Sequence, residues 1–254
     1  MSKTKTIGRF LWQELVTNDP KTALSFYGEL FGWKSQTMNM GGAGDYTILK
    51  SGDKDVGGAL SAEAAKGLPP HWNVYFSTPD TDKTVEDVKK AGGKVMSAAW
   101  DIPNVGRCAV LLDPQGTSFS LLQPADERAE SDAKPAPGEF CWVEGIVDDP
   151  AAALAFYGKV FGWTSKETPM GEGGTYHHLS RAGEKPAGGI TKKSMPGPNA
   201  WLSYVAVDDV DGTVKRASRL RGKVLLPVTV AKGIGSFAVL QDPTGAVFAI
   251  FKGE

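Results

Sequence analysis

Residues 23–33 have the sequence Ala-Leu-Ser-Phe-Tyr-Gly-Glu-Leu-Phe-Gly-Trp, and residues 153–163 have the sequence Ala-Leu-Ala-Phe-Tyr-Gly-Lys-Val-Phe-Gly-Trp. The two segments begin 130 residues apart and differ at only three positions. Such a match within a chain of 254 residues indicates a tandem duplication. Nearly the same offset relates further pairs: Trp12 and Glu14 with Trp142 and Glu144, Asp19-Pro20 with Asp149-Pro150, and Asp113-Pro-Gln-Gly116 with Asp242-Pro-Thr-Gly245.

Each copy predicts two βαβββ modules, so the whole chain is expected to be an α+β fold of four modules. The segment 10–16 is typical of a strand, Asp19 of a helix cap, Pro20 of a first helical turn and Gly32 of a helix end. We expect an N-terminal domain over 8–123, a linker over 124–138 and a C-terminal domain over 139–254. The linker has three prolines, six charged residues and no large apolar residue, a composition typical of connecting segments.

Composition excludes several classes of function. The formal net charge is −1 and the sequence pI is about 6.3, so the chain lacks the positive charge that binding to a nucleic acid backbone requires. No apolar stretch reaches the length of a membrane helix, and the first ten residues contain no apolar core of a signal peptide. Two cysteines cannot form a framework of several disulfides. We therefore expect a cytoplasmic protein that binds neither nucleic acid nor membrane.

The duplicated modules, the Asp-x-x-x-Ala-Leu-x-Phe-Tyr pattern from Asp19, the Gly57-Gly58 pair and the Asp-Pro-x-Gly turn together resemble the vicinal oxygen chelate superfamily. This superfamily contains glyoxalases, bleomycin-resistance proteins and extradiol dioxygenases. In detail the chain is similar to the two-domain subgroup that includes mycobacterial glyoxalase-like antigens. The resemblance implies that each pair of modules curls around a cleft for a small molecule.

The resemblance also implies a divalent metal held by His, Gln or Glu at fixed strand positions. In this chain the first-strand positions fall on Trp12 and Trp142, and the last-strand positions on Ser120 and Ala249. The remaining positions fall near Asn73 and Leu202, with a register uncertain by one residue because Trp72 and Trp201 are adjacent. Metal sites need several converging N, O or S donors, so we expect no metal at the usual place and no other cofactor. A divalent metal bound by a rebuilt site is the alternative.

Two glutamates are the candidate catalytic residues. Glu14 and Glu144 share a strand face with Trp12 and Trp142, because side chains two apart on a strand point the same way. Either glutamate could bind a donor group of a ligand or accept a proton, and the alternative is that it ties the sheet together. The candidate ligand-binding residues are aromatic or polar positions expected to face the clefts: Trp12, Asn73, Tyr75, Ser120, Trp142, His178 and Tyr204. For His178, a solvent-facing position is the alternative.

The residues favour a glyoxalase-like protein that binds or processes a small organic molecule without the usual metal. Three alternatives stay open: a metal-dependent lyase, isomerase or dioxygenase-type enzyme with a rebuilt site, a protein that sequesters an antibiotic, and a structural or interaction protein whose clefts are filled by Trp12, Trp142 and their neighbours. The N-terminal cleft is expected to be the more polar, since Asn73 and Ser120 correspond to Leu202 and Ala249 in the second copy. A monomer is sufficient for complete clefts, and a homodimer is compatible with the sequence.

Overall fold

The protein is described here by a computed structural model, which covers residues 7–39, 44–61, 68–126, 134–170, 174–181, 188–194 and 196–254. Residues 127–133 of the expected linker lie outside these ranges. The first repeat contains β1 (Phe10–Thr17), α1 (Pro20–Phe31), β2 (Lys34–Asn39), β3 (Asp45–Ser51), β4 (Lys54–Ser61), β5 (His71–Ser77), α2 (Thr81–Lys90), β6 (Lys94–Ile102), β7 (Gly106–Leu112) and β8 (Ser118–Pro124). The second contains β9 (Phe140–Val147), α3 (Pro150–Phe161), β10 (Thr164–Pro169), β11 (Thr175–Ser180), β12 (Gly188–Lys192), β13 (Ala200–Ala206), α4 (Val210–Arg219), β14 (Lys223–Ala231), β15 (Gly235–Gln241) and β16 (Val247–Gly253).

The described strands form two mixed sheets with the same order. The first is β2-β3-β4-β1-β5-β8-β7-β6, and the second is β10-β11-β12-β9-β13-β16-β15-β14. In the first sheet β1 pairs with β4, and β5 with β8, in parallel, while β2 with β3, β3 with β4, β6 with β7 and β7 with β8 are antiparallel. This repeated order of one helix and four strands confirms the prediction of four βαβββ modules in a tandem duplication.

Local capping explains where the first helix of each repeat begins and ends. The Asp19 carboxylate accepts a hydrogen bond from the Thr22 backbone N–H at 3.0 Å, Pro20 begins α1, and Gly32 ends it in the left-handed region at φ 74°. The hydrogen bond to Thr22 holds the pKa of Asp19 below its ordinary value. The second repeat has the same cap in α3, with Asp149 accepting from Ala152. The prediction of a helix between Asp19 and Gly32 is confirmed, because capping depends only on neighbouring residues.

The chain divides into two compact units, each of which combines modules from both repeats. The first consists of Met1–Leu11, Val74–Asp132 and Val143–Trp201, and the second of Trp12–Asn73, Ala133–Trp142 and Leu202–Glu254. The first unit therefore holds α2 and α3, and the second holds α1 and α4. The limits that the sequence suggests for the two domains stay a prediction.

A buried hydrogen-bonded group joins the two modules of the second unit. The Tyr27 hydroxyl donates to Asp242 Oδ2 at 3.0 Å and accepts from Trp72 Nε1 at 2.9 Å. Asp242 Oδ1 in turn accepts from the backbone N–H groups of its own turn, residues 244–246. The Phe-Tyr motif of the first repeat is thus bonded to the Asp-Pro-x-Gly motif of the second.

The first unit contains the equivalent group. The Tyr157 hydroxyl donates to Asp113 Oδ2 at 3.2 Å and accepts from Trp201 Nε1 at 3.0 Å. Tyr157 is fully buried among the aromatic side chains of its unit: Phe76, Phe119, Phe156, Phe161, Trp163 and Trp201. Burial raises the pKa of both Tyr27 and Tyr157 well above the ordinary value, so both hydroxyls stay protonated. Each unit therefore has a neutral tyrosine that satisfies a buried carboxylate and a buried indole N–H.

Candidate functional site

The first module presents a glutamate, a tryptophan and a tyrosine on the sheet face opposite its helix. Leu15 and Ala59 pack into the core with α1, so Trp12 and Glu14 occupy the other face of β1. Glu14 is 6% exposed and pairs with Gly58 on β4. Four residues make up this N-terminal cluster, as we call it: Trp12, Glu14, Tyr46 and Gly58.

The tyrosine of the N-terminal cluster lies across the glycine. A Cβ at Gly58 would overlap the Tyr46 hydroxyl, which shows that the ring of Tyr46 fills the space that a side chain at residue 58 would take. The same hydroxyl accepts a hydrogen bond from Trp12 Nε1 at 2.9 Å. Gly58 is therefore required for the tyrosine on β3 to reach the tryptophan on β1.

The third module repeats this arrangement and adds a histidine. Glu144 pairs with Gly189 on β12, and Gly189 pairs with His178 on β11. A Cβ at Gly189 would overlap the Tyr176 hydroxyl, and the rings of Tyr176 and His178 have their centroids 4.8 Å apart. We call these four residues the C-terminal cluster: Glu144, Tyr176, His178 and Gly189. Trp142 is half-buried and shares the Glu144 face of β9.

His178 is placed on the candidate site face and not turned away from it. It is half-buried, whereas its neighbour His177 points to the opposite face and is 9% exposed. Burial, and to a lesser extent the charge of Lys166, lowers the pKa of His178. The imidazole is therefore unprotonated near neutral pH and can accept a hydrogen bond or a proton.

The second and fourth modules contribute a tyrosine each. In the second module Tyr75 pairs with Ser120, and Asn73 precedes Tyr75 on the same face of β5. In the fourth module Tyr204 pairs with Ala249 and its ring centroid is 6.3 Å from that of Phe237. Ser120, which is beside Tyr75, thus corresponds to Ala249, which is beside Tyr204.

Tyr46 and Tyr176 are absent from the set of cleft residues that the sequence suggested. They occur at the same offset of 130 residues that relates Trp12 to Trp142, so the repeat itself carried a signal for them. Their position over Gly58 and Gly189 depends on how three strands line up. No local sequence pattern encodes that alignment.

The residues at the positions where the resemblance implies a metal do not fit one. The ring nitrogen of Trp12 carries a hydrogen that it donates to Tyr46, and an indole offers no lone pair to a cation. Ala249 and Leu202 have no donor atom. Trp72 and Trp201 point into the cores, where each indole N–H donates to a buried tyrosine. Their neighbours Asn73 and Leu202 therefore lie on the opposite face of the sheet, which removes the one-residue uncertainty in the register. Within the described ranges, no three His, Cys, Asp or Glu side chains come together as a metal site would need.

Comparison with known proteins identifies the family. The model of the "Glyoxalase/Bleomycin resistance protein/Dioxygenase superfamily" matches residues 6–121 and 141–250. The chain belongs to this superfamily. The "Putative glyoxylase CFP32" of Mycobacterium tuberculosis is 36% identical over 245 residues, which cover 95% of this chain and 93% of that protein. The "Anthracycline biosynthesis protein DnrV" of Streptomyces peucetius is 31% identical over 256 residues, covering 94% and 91%.

Solved structures of the superfamily share the fold. The 2,3-dioxygenase LapB from Pseudomonas sp. KL28 matches with a TM-score of 0.67 at 15% identity, covering 98% of this chain and 94% of that one. The Mn(II)-bound glyoxalase from Novosphingobium aromaticivorans matches with a TM-score of 0.62 at 16% identity, covering 97% and 82%. At such low identity these matches show the fold alone. None of the helices within the described ranges is long and apolar enough to cross a membrane.

Proposed function

We propose that this member of the superfamily binds or processes a small organic molecule on the sheet faces opposite its helices, without the metal usual in the family. The observation that carries the proposal is the recurrence of one cluster in both repeats. In each, a glutamate pairs with a glycine and a tyrosine hydroxyl covers that glycine. Both repeats therefore keep a carboxylate and a phenol hydroxyl together on one sheet face.

The chemistry of the clusters suits a ligand with both apolar surface and hydrogen-bonding groups. Aromatic rings supply contact area, while Glu14 and Glu144 accept hydrogen bonds or protons. Small-molecule sites commonly combine an apolar lining with a few polar groups in this way. The proposal has four further parts. The partner is a small-molecule ligand and no cofactor is resident. The protein is cytoplasmic, and a monomer is sufficient for function.

The test begins with metal analysis of protein purified without a metal-affinity column, before and after loading with zinc, nickel, manganese or ferrous iron. Metal-free protein is then screened against small molecules by thermal shift. We expect ligands that stabilise the wild type and bind more weakly to Glu14→Gln or Glu144→Gln. Glu86→Gln, which removes the same charge from an exposed position on α2, serves as the control.

The outcomes separate the rival functions. A stoichiometric metal that survives dialysis would overturn the metal-independent function in favour of a metalloenzyme with a rebuilt site. Loss of turnover with unchanged affinity in a glutamate variant identifies an enzyme, while loss of affinity alone identifies a binding protein. Selective binding of cationic antibiotics would favour sequestration, since the glutamates are acidic. No stabilising compound in a broad screen, with the fold intact, would contradict the proposal.

A further inference from the structure

The strand at one end of the second sheet, β14, has an open edge. It is hydrogen-bonded to β15 along one side and, among the described strands, has no neighbour along the other. Backbone groups on such an edge can pair with a strand of another chain. Pro227, the middle residue of β14, has no N–H to donate, but it lies where the pairing with β15 shifts register. The residues on either side of it keep their backbone donors.

Aliphatic side chains are exposed along this edge. Val230 is 73% exposed and Val224 is 39% exposed. Val224 pairs with Leu240 of β15. Val230 pairs with Ser236, which shares a face of β15 with Leu240, so both valines point to the same side of the sheet. Leu240 is buried in one core with Ala217 of α4, so the two valines form an apolar strip on the side that α4 covers.

The first repeat protects the equivalent edge strand, β6. The two strands begin 129 residues apart, at Lys94 and Lys223, so Asp101 in β6 corresponds to Val230 in β14. The Asp101 carboxylate accepts a hydrogen bond from Arg107 at 3.0 Å and is exposed. A charged side chain on an edge strand disfavours pairing with another chain. At residue 230 the second repeat has an exposed valine in place of that charge.

The two ends of α4 have opposite charge. Three aspartates lie at its beginning, and five basic residues lie at its end and in the residues that lead into β14: Asp208, Asp209, Asp211, Lys215, Arg216, Arg219, Arg221 and Lys223. All eight are exposed. Within the described ranges, none of the five basic side chains forms an ion pair. On α2, in contrast, the lysines pair with acidic residues of the same helix.

Charge and symmetry together favour a second copy of this chain as the occupant of the edge. If two β14 strands pair antiparallel about a two-fold axis perpendicular to the sheet, the Val224 end of each meets the Val230 end of the other. The two α4 helices, which contact β14 and β15, then lie antiparallel on the same side of the joined sheet. The acidic end of each helix is thus directed towards the basic end of the other.

The far end of β14 adds another acidic group. In the hairpin that follows the strand, the Glu254 carboxylate accepts a hydrogen bond from the Gly233 backbone N–H at 3.0 Å. The same antiparallel pairing brings this hairpin towards Lys223 of the second copy. Opposite charges therefore approach each other along both the helices and the strands.

We infer that residues 208–231, which we call the α4–β14 edge, form the interface of a two-fold symmetric homodimer in which two copies join through β14. The valines supply the buried apolar contact, and the charges of α4 set the alignment. The inference goes beyond the proposed function, because a single copy contains every residue of both clusters.

Sedimentation velocity of the full-length protein measures this association. The wild type, compared at about 5 and 200 μM, should be mainly monomeric at the lower concentration and mainly dimeric at the higher, as for a small interface of moderate affinity. Val230→Asp copies the residue of the other repeat and should weaken the dimer about tenfold or more, because it places an unpaired carboxylate in the interface. Val224→Lys is a second variant with the same expected result.

Two controls separate the α4–β14 edge from other surfaces. Met96→Asp introduces the same charge at a residue that is 56% exposed on the edge strand β6, and it should leave the association unchanged. Asp211→Lys reverses a charge at the acidic end of α4 and should weaken the dimer, while Glu86→Lys makes the same reversal on α2 and should not. Circular dichroism verifies that each variant is folded.

Three results would overturn the inference. The first is a wild type that stays monomeric at about 200 μM, which is also the result expected if an acidic protein or an anionic membrane occupied the edge. The second is a dimer that persists in both valine variants, because the copies would then join through another surface. The third is a dimer of unchanged affinity in Asp211→Lys, which would refute the antiparallel alignment. Ligand binding is measured separately by thermal shift, so the proposed function does not depend on these results.

Discussion

The buried tyrosine hydroxyls give the strongest quantitative prediction. Tyr27 is 1% exposed, Trp72 is 5% exposed and Asp242 is 2% exposed, so water does not reach this group easily. Tyr27→Phe removes one oxygen and with it two hydrogen bonds, at 3.0 Å to the carboxylate and 2.9 Å from the indole. The substitution leaves the ring packing in place, which isolates the effect of the hydrogen bonds.

The expected cost follows from the two groups that lose a partner. A buried polar group without its hydrogen bond costs about 1–3 kcal/mol, and more when the group is charged. Losing a partner for both the indole N–H and the carboxylate oxygen should lower the free energy of unfolding by about 2–5 kcal/mol. Since small domains are stable by only about 5–15 kcal/mol, the effect is large. Tyr157→Phe in the other unit should have a cost of the same size.

Urea unfolding, followed by tryptophan fluorescence and circular dichroism, measures the loss. Tyr46→Phe is the control: it also removes a hydroxyl that accepts a bond from an indole, but Tyr46 is a half-buried residue. Its partners are easier for water to reach than those of Tyr27, so the control should cost only about 0.5–1.5 kcal/mol. If Tyr27→Phe costs no more than the control, then the buried hydroxyl does not stabilise the unit and the reasoning fails.

Four further predictions follow from individual contacts. Burial raises the pKa of Tyr27 and Tyr157 well above 10.0, so their contribution to stability is complete below pH 10 and is lost as the pH rises further. Ultraviolet titration should find that these two tyrosines ionise only when the protein unfolds, and smooth ionisation of all six tyrosines would contradict this. Gly189→Ala places a methyl group against the Tyr176 hydroxyl, so it should displace the ring and lower the free energy of unfolding in urea, and unchanged stability would contradict this close approach. Burial raises the pKa of Cys141 to about 12, so a thiol reagent should react with the native protein at neutral pH far more slowly than with protein in urea, and equal rates would refute this. Asp80→Ala removes the cap of α2 and should cost about 1 kcal/mol in urea unfolding, whereas no loss would show that the cap is dispensable.

Part of the candidate site could be predicted because each of its sequence patterns occurs in both repeats. Trp12 and Glu14 share one face of β1, and Trp142 and Glu144 share one face of β9, as alternation along a strand leads one to expect. The sequence could not show that Tyr46 and Tyr176 cross over glycines, because that requires the alignment of three strands. It also left the register of the fifth strand uncertain by one residue, until the bond from Trp72 to Tyr27 placed Asn73 on the sheet face opposite the core.

The sequence by itself determined the duplication, the four modules and the ends of the capped helices. These depend on residues within a few positions of one another, such as Asp19 and Thr22, and local chemistry is sufficient to specify them. Only the tertiary structure decided that Tyr27 is bonded to Asp242 and Tyr157 to Asp113, across repeats. The two aspartates occur in nearly identical turns, so local sequence offers each tyrosine two equivalent partners. The choice between them is made when distant modules pack, and in each packed unit the tyrosine hydroxyl then bonds both a buried carboxylate and a buried indole N–H.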